Sequence, residues 1–430
     1  MGRGAGGAPV KWRGTVAAPL PAPLPTGRSI LRGRLPPALG VSLGSFVVLG
    51  LCDGALGTAW PAIGHALHLP IGDLGLVQLA GTAGFLSASA VSGRVAARLG
   101  RASSLLLAAA LGTASLGLFA LTPLAAVLFF AALALGLAGG SIEPGVQSHV
   151  ALSARARTMN LLHGCYGIGA TLGPILVSGL LLAKSSWRLA YVVLASCEAL
   201  VALGVLSRRR AFDATTPQVL TSRRRKGTVV AQERAYAPLA LVLALSLFFI
   251  YTGLEVGTGQ WAFSLLTTGR HLGTGLAGLL VAGYWGALTV VRLLVAAIGD
   301  HLDSEHLLTA SAAGSVVGEA LFWWNPNVVV GAIGLLLVGG SCAPAFPLMM
   351  SRTPHWVAAP NVSAVIGWQS ASASFGIAAL SGLAGILVGS LGLDVLGPYL
   401  LSMSAAFLAL QLGALGALER RRAGGPDSVA

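Results

Sequence analysis

The sequence predicts an all-α membrane protein in which twelve transmembrane helices form two pseudo-symmetric six-helix bundles. Of the 430 residues, 55% are hydrophobic and 10% are charged, whereas soluble domains carry about 25% charged residues. Uncharged runs of about 20 residues, the length that crosses a hydrocarbon core, recur along most of the chain. The two halves of the chain also share short motifs at a constant spacing. Together these observations exclude a soluble globular domain.

The apolar runs predict helices rather than the strands of a membrane barrel. Residues 105–121 and 328–348 are apolar at nearly every position. Barrel strands instead alternate polar and apolar residues over about ten positions. Before the first run, residues 1–36 are rich in proline, glycine and arginine, which is typical of an extended, solvated chain. We therefore expect residues 1–36 to form a disordered cytoplasmic tail.

Residues 37–206 are predicted to form the N-terminal six-helix bundle, and residues 238–418 the C-terminal six-helix bundle. Helix ends are placed where glycine, proline or charged residues interrupt the apolar runs. The predicted spans of the first bundle are 38–60, 71–96, 102–121, 124–150, 160–183 and 187–206. The predicted spans of the second bundle are 238–264, 274–299, 306–322, 327–350, 361–389 and 395–418.

The basic residues predict the orientation of the chain. Residues 207–237 contain two arginine-rich clusters and few apolar residues, so we expect a solvated cytoplasmic linker there, and residues 419–430 are expected to be a cytoplasmic tail. If both termini and the linker are cytoplasmic, 23 of the 27 lysine and arginine residues fall on that side, as the positive-inside rule requires. We therefore expect a multi-pass protein of the cytoplasmic membrane.

An internal repeat supports the two-bundle architecture. Gly139-Gly-Ser-Ile-Glu-Pro144 recurs as Gly339-Gly-Ser-Cys-Ala-Pro344, 200 residues further along the chain. The same offset relates Gly57-Thr58 to Gly257-Thr258, and each of these pairs follows an acidic residue and precedes a tryptophan. A duplication of six helices places solute and ion sites near the bilayer midplane, between the two halves.

The organisation resembles the major facilitator superfamily. Gly93-Arg-Val-Ala-Ala-Arg98-Leu-Gly-Arg101, after the second predicted span, is similar to that superfamily's signature loop, although Ala97 stands where the aspartate is usual. The resemblance implies a transporter that works by alternating access, with Arg94, Arg98 and the intramembrane Arg292 in gating roles. The loop therefore lacks the aspartate on which the charge relay usually assigned to it depends.

Further motifs are similar to the branch that contains the fucose-proton symporter. They are Asn160-Leu-Leu-His163-Gly, Gly169-Ala-Thr-Leu-Gly-Pro174, Gly253-Leu-Glu255-Val-Gly, Tyr284-Trp285-Gly, Ala343-Pro-Ala-Phe-Pro347 and Ile366-Gly-Trp-Gln369. In that branch, acidic residues on the first and fourth helices are associated with proton coupling and sugar recognition. Asp53 and Glu143 stand at the matching places, so the resemblance implies proton-coupled symport of a sugar-like solute.

Ionisable residues inside the spans are the candidate coupling residues. A charged side chain at the centre of a membrane helix costs about 2.5–3.5 kcal/mol on insertion scales, so it must face a wet cavity or the bundle interior. Asp53, Glu143 and Glu255 meet this condition, and we expect Asp53 or Glu143 to accept the proton. Glu255 either forms an ion pair with Arg292 or hydrogen-bonds the solute. We expect Glu319 to lie near the outer surface without a special role.

A polar solute also requires aimed hydrogen-bonding groups and an apolar surface for its ring. Aromatic side chains can stack on the C–H faces of a solute or attract a cation. The candidate solute-binding residues are Gln147, Asn160, His163, Gln260, Trp261, Tyr284, Trp285, Trp368 and Gln369.

Several other classes of protein are not supported by the sequence. The basic residues punctuate membrane spans instead of clustering beside a soluble core, so no nucleic-acid partner is expected. The four cysteines lack metal-ligand spacing, and no metal or other cofactor is expected. We do not expect an enzyme, because no paired-histidine or phosphate-binding motif is present. The expected partners are a small-molecule solute and the lipid bilayer, and the expected state is a monomer.

Two alternative functions remain open at this point. The first is a proton-driven antiporter that exports a drug-like or cationic compound, because Gly169-Ala-Thr-Leu-Gly-Pro174 also resembles a fifth-helix motif associated with antiporters. The second is a sodium-coupled sugar transporter, since carboxylates and carbonyls serve sodium equally well as ligands.

Overall fold

A computed structural model describes residues 37–153, 156–214, 238–298, 303–357 and 361–423. The predicted N-terminal tail (1–36), most of the predicted linker and the last seven residues lie outside these ranges. Within them, long apolar runs form long helices because a helix satisfies every backbone hydrogen bond internally, as a bilayer requires.

The helices of the first half are α1 (Pro37–Leu67), α2 (Leu74–Leu99), α3 (Arg101–Leu121), α4 (Ala125–Ser153), α5 (Ala156–Leu182), α6 (Trp187–Ser207) and the short α7 (Arg209–Ala214). The helices of the second half are α8 (Pro238–Ser264), α9 (Thr274–Ile298), α10 (Ser304–Trp324), α11 (Val328–Cys342), α12 (Ala345–Arg352), α13 (Val362–Leu391) and α14 (Leu396–Ala423).

Within the described residues, 11 helical segments are long and apolar enough to cross a membrane, with α11 and α12 counted as one. The remaining long helix, α10, has 21 residues. It packs against α11 and α14 in the second half, as α3 packs against α4 and α6 in the first. With α10 included, the predicted fold class is confirmed.

The two halves repeat the same pattern of helix packing. The most extensive contacts of the first half are α1 with α5, α2 with α4, and α3 with α6. The second half pairs α8 with α13, α9 with α11, and α10 with α14. The repeated sequence motifs therefore correspond to repeated packing. Contact between the halves is made mainly by α5 with α9, α2 with α13, and α1 with α8.

The repeated proline motif has different structures in the two halves. In the first half, Pro144 lies inside the continuous helix α4. In the second half the helix is interrupted at Pro344, so that α11 ends at Cys342 and α12 begins at Ala345. The interruption frees backbone carbonyls of the second half for side chains of other helices.

The predicted linker begins with an ordered helix. Phe212 of α7 is fully buried and contacts the ring of His149 at a centroid distance of 4.7 Å. The Asp213 carboxyl accepts a hydrogen bond of 3.0 Å from the backbone N–H of Ala102. Most residues of α7 are exposed, but one aromatic residue and one N-capping carboxyl hold the helix against the first half.

Candidate functional site

Asp53 lies in the interior of the helix bundle and faces an opening. Helix α1 packs against α4, α5, α6 and α8, and Asp53 is its only exposed residue between positions 41 and 64. Its neighbours Gly54 and Ala55 are buried. Since α1 is enclosed by protein on several sides, the exposed carboxyl group faces an opening between the helices.

Close packing of α1 and α5 brings a tyrosine to Asp53. A Cβ atom at Gly50 would lie 2.0 Å from the backbone oxygen of Tyr166, and one at Gly54 would lie 2.2 Å from that of Ala170. These glycines allow the two backbones to touch. As a result, the Tyr166 hydroxyl donates a hydrogen bond of 2.7 Å to Oδ2 of Asp53.

The second half reaches the same position through Gln260. Its side-chain amide on α8 donates a hydrogen bond of 2.7 Å to the backbone oxygen of Asp53. The approach is close, because a Cβ atom at Gly57 would lie 2.3 Å from the Gln260 backbone oxygen. Asp53 therefore lies at a contact between the two halves, which must change if the halves move relative to each other.

Glu143 and Gln147 lie on α4, one helical turn apart. The Gln147 amide donates a hydrogen bond of 3.0 Å to Oε1 of Glu143, and both side chains are half-buried. Glu143 is within electrostatic range of Asp53. Among the helices described, α4 makes no extensive contact with the second half. The structure thus brings together two predicted carboxyl groups, each bonded to an uncharged donor, beside the central opening.

Glu255 and Arg292 form an ion pair in the second half. Nη2 of Arg292 lies 3.5 Å from Oε2 of Glu255, and the two side chains are 23% and 14% exposed. The Tyr251 hydroxyl also donates to Glu255, and the Tyr284 hydroxyl donates to the Glu255 backbone oxygen at 2.6 Å. Of the two predicted alternatives for Glu255, the structure therefore shows the ion pair.

The same cluster holds the interrupted helix of the second half. Nε of Arg292 donates to the backbone oxygen of Ala343 at 3.1 Å. The Tyr251 hydroxyl lies 2.9 Å from the backbone oxygen of Cys342. Both carbonyls belong to the break before Pro344, so Arg292 links α9, α8 and the α11–α12 break. This arrangement suits a gating residue, because one side chain connects three helices.

Other predicted residues lie around this region in different environments. His163 is half-buried, packs edge-on against Phe46 at 5.8 Å between ring centroids, and lies within electrostatic range of Arg292. Trp368 is exposed. Arg94 and Arg98 are exposed at the end of α2. The side chain of Asn160 lies outside the described residues.

Five of the predicted solute-binding side chains are closed off in this conformation. Gln260, Trp261, Tyr284, Trp285 and Gln369 are all buried. The indole N–H groups of Trp261 and Trp285 have no hydrogen-bond partner within the described part of the chain. The Gln369 amide oxygen instead accepts a hydrogen bond of 2.9 Å from Thr353. In this conformation these five side chains are therefore inaccessible to a solute.

The prediction for Glu319 is wrong. Its side chain is fully buried and accepts a hydrogen bond of 2.6 Å from the Thr258 hydroxyl on α8. The reason is that Glu319 lies on a buried face of α10, where its carboxyl group reaches Thr258 of α8. Sequence reasoning also missed Tyr166 and Tyr251, which contact the predicted acidic residues. The four-residue spacing of Gly50 and Gly54 beside Asp53 was the available signal for α5 packing there.

No group of three or more metal-ligating side chains occurs in the residues that the structure describes. The arrangement instead suits binding and release of a proton or a monovalent cation. A carboxyl group in a low-polarity cavity favours its neutral form, and nearby donors or cations favour its charged form. Asp53 and Glu143 combine both influences.

Comparisons with known proteins identify the family of the chain. The family model for the Major Facilitator Superfamily matches residues 42–324. The glucose/mannose transporter GlcP of Bacillus subtilis (strain 168) is 23% identical over 347 residues, which cover 79% of this chain and 85% of that protein. The sodium-dependent glucose transporter 1 of Homo sapiens is 29% identical over 158 residues, covering 36% of this chain and 30% of that protein.

Solved structures support the fold. A D-xylose-proton symporter superposes with a TM-score of 0.71 at 14% sequence identity, covering 88% of this chain and 96% of that chain. A mutant of the nucleoside transporter NupG gives a TM-score of 0.68 at 15% identity, covering 88% of this chain and 100% of that chain.

Proposed function

The chain belongs to the major facilitator superfamily, and on this premise we propose that it moves a small, sugar-like solute across the cytoplasmic membrane together with protons. It is a multi-pass membrane transporter of a small molecule and not an enzyme. Proton symport by alternating access is the mechanism that we propose for it. H⁺ is the coupling ion, and no further cofactor is required.

The exposed carboxyl group of Asp53 is the observation that carries this proposal. It is the exposed position on an otherwise enclosed stretch of α1, so it can exchange protons with water in the cavity. Its hydrogen bond from Tyr166 favours the carboxylate, since a donor stabilises the charged form. Protonation of Asp53 removes the electrostatic repulsion between its carboxylate and that of the neighbouring Glu143. Asp53 is therefore the proposed proton acceptor.

Glu143 and Gln147 are the proposed first contacts of the solute. Together they present carboxylate oxygens and an amide, which can bond the hydroxyl groups of a sugar. They lie on α4, which is free of extensive contact with the second half, so a solute can enter beside them. When α8 moves away from α1, the buried groups Gln260 and Trp261 become available from the second half.

Coupling follows from the position of Asp53 at the contact between halves. Gln260 holds the backbone of Asp53, so movement of α8 away from α1 breaks this bond and alters the surroundings of the carboxyl group. A proton bound in one conformation is then released in the other. This is the differential interaction that a ligand needs in order to shift a conformational equilibrium.

Transport assays in proteoliposomes test this function. We expect an inward proton gradient to drive accumulation of radiolabelled glucose, mannose or another member of a hexose and pentose panel. Asp53→Asn should abolish accumulation but keep solute exchange between equal concentrations. Glu198→Gln is the matched control, because Glu198 is a buried acid of α6 outside the proposed site. Accumulation by Asp53→Asn at the wild-type level would contradict the proposal.

Sodium coupling is the second candidate. It is favoured by the similarity of part of the chain to the sodium-dependent glucose transporter 1 of Homo sapiens. The carboxyl groups of Asp53 and Glu143 supply oxygen ligands of the kind that Na⁺ prefers. A sodium gradient at equal pH on both sides separates the two candidates, because proton symport predicts no accumulation under that condition.

For the topology we propose that both termini are cytoplasmic and that the transporter acts as a monomer. The charge distribution supports this orientation, because most lysine and arginine residues then lie on the cytoplasmic side. Labelling of single cysteines placed in residues 1–36 with a membrane-impermeant reagent tests it in intact and opened cells. Labelling in intact cells would contradict the orientation.

A further inference from the structure

A second polar cavity lies in the second half, away from Asp53 and Glu143. It has a volume of about 240 Å³ and lies between the segment after α8, the end of α10 and the start of α14, where Arg270, Trp323, Trp324 and Asp394 line it. This is far larger than the roughly 30 Å³ that one water molecule occupies. The cavity lies at the end of the bundle where α1 ends, opposite the predicted cytoplasmic face.

Two opposite charges line this cavity without touching. Asp394 is exposed, and no ion pair joins it to Arg270 within the described residues, although the two groups interact electrostatically. The Arg270 guanidinium is held in place because Nη2 donates to the Phe322 backbone oxygen at 2.6 Å. It also lies 4.6 Å from the centre of the Phe322 ring. Its Nη1 is buried and has no hydrogen-bond partner in the part of the chain described.

An arginine of the first half also binds the end of a helix. Nη1 of Arg188 donates to the backbone oxygens of Ala120 and Thr122 at the end of α3, just as Arg270 binds the end of α10. Arg188 is thus bonded through Nη1, whereas Nη1 of Arg270 has no hydrogen-bond partner within the described residues.

Two exposed tryptophans line the cavity. Trp324 is 70% exposed. Trp323 is half exposed and packs against Gly397, where a Cβ atom would lie 2.1 Å from its ring. Tryptophan is typical of the membrane interface, where one end of the side chain is apolar and the other is wet. A ligand of this cavity therefore meets separated charges inside and an apolar surface outside.

We infer that the cavity binds the headgroup of a zwitterionic phospholipid. Arg270 binds the phosphate, because a guanidinium matches phosphate geometry. Asp394 binds the ammonium group of the headgroup, and the acyl chains lie on Trp324 and the neighbouring apolar residues. A soluble zwitterion would leave this apolar surface unexplained. The inference is independent of the proposed transport function.

Native mass spectrometry of the detergent-purified protein tests this site by titration with single lipids. The lipids are phosphatidylethanolamine, the anionic phosphatidylglycerol and a diacylglycerol without a headgroup charge. We expect the wild type to bind phosphatidylethanolamine most tightly and the diacylglycerol least. Asp394→Asn should weaken phosphatidylethanolamine binding about fivefold, as expected for one lost charge-assisted hydrogen bond, and leave phosphatidylglycerol binding unchanged.

Two further variants and two controls keep the result interpretable. Arg270→Ala should weaken binding of both phospholipids, and Trp324→Ala should weaken binding of all three lipids. Asp394 and Trp324 are exposed, so these two variants are expected to fold even if Arg270→Ala does not. Arg188→Ala and Asp73→Asn remove matched charges from the same end of the first half and should change nothing.

Three outcomes would overturn the inference. The first is equal binding of the diacylglycerol and phosphatidylethanolamine. The second is unchanged phosphatidylethanolamine binding in Asp394→Asn. The third is displacement of the lipid by an equal concentration of soluble phosphoethanolamine, which would show that the apolar surface contributes nothing and that the ligand is a free zwitterion.

Discussion

In the first half, the carboxyl groups of Asp53 and Glu143 accept hydrogen bonds from the uncharged donors Tyr166 and Gln147, whereas in the second half Glu255 is paired with Arg292. The repeated motif explains part of this contrast. Position 143 carries an acid on a continuous helix, while position 343 carries an alanine whose carbonyl binds Arg292. The charge of Glu255 is therefore compensated by a cation, whereas Asp53 and Glu143 have no ion-pair partner within the described residues.

This contrast predicts different roles for the two halves. An acid without a cationic partner can change its protonation state, and among the described residues no ion pair reaches Asp53 or Glu143. An acid already paired with a guanidinium has less to gain from a proton. We therefore expect coupling to depend on the first half, and the stability of the closed packing to depend on the second.

The largest expected effect is on stability, in the second half. Arg292→Ala leaves Glu255 without its cation and should lower the free energy of unfolding by about 2–4 kcal/mol, because an unpaired charge stays in a low-polarity site. The double variant Arg292→Met, Glu255→Gln should recover most of the loss. Thermal unfolding of both in detergent measures this. Equal destabilisation by Asp53→Asn would remove the contrast between the halves.

The next largest effect is expected at Glu143. Glu143→Gln removes the negative charge but keeps the size of the side chain, so it should raise the half-saturating solute concentration about thirtyfold, the equivalent of about 2 kcal/mol. Initial rates of solute exchange in proteoliposomes measure this. Glu305→Gln is the control, because Glu305 pairs with Arg352 away from the site. A normal half-saturating concentration in Glu143→Gln would exclude Glu143 from solute binding.

A smaller effect is expected from Tyr166. Tyr166→Phe removes the donor that favours the Asp53 carboxylate, so proton release should become harder and proton-driven uptake should fall about tenfold. Solute exchange should fall much less, because it needs no net proton release. Tyr191→Phe is the control, since the Tyr191 hydroxyl has no partner in the described part of the chain. Equal losses of uptake and exchange would assign Tyr166 a structural role.

The smallest effect is expected from the contact between the halves. Gln260→Leu removes the hydrogen bond to the Asp53 backbone, and one such bond contributes about 1 kcal/mol. The equilibrium between conformations should therefore shift about fivefold toward the one in which α1 and α8 separate. The distance between spin labels at the exposed residues His65 and Thr268, near the ends of α1 and α8, measures the shift. An unchanged distance distribution would show that this bond does not hold the closed conformation.

The helices were predictable because their signal is strong and local. The apolar runs are long and uncharged, and the predicted span 187–206 differs from α6 by one residue. Helix α7 was missed because arginines surround Phe212, whose burial depends on a pocket in the first half. The interruption at Pro344 was missed because a proline alone does not decide whether a helix breaks. The matching Pro144 lies inside the continuous helix α4. The difference comes from Arg292 and Tyr251, which bind the freed carbonyls.

The acids of the site were predictable, but their partners were not. Charge inside a membrane span is costly wherever it occurs, so Asp53, Glu143 and Glu255 stand out in the sequence alone. Their hydrogen-bond and ion-pair partners depend on which helices are in contact and on the position of each residue along its helix. Tyr166 is one of several aromatic residues in apolar runs, and its role appears only when the glycines of α1 and α5 bring the helices together.

The most direct test of the central claim is to follow protons and solute together. In proteoliposomes that contain a trapped pH indicator, addition of solute to the wild type should acidify the interior. Glu198→Gln should behave like the wild type, and Asp53→Asn should show no acidification while still exchanging solute. Acidification of equal rate and extent in Asp53→Asn would contradict the claim that Asp53 carries the coupled proton.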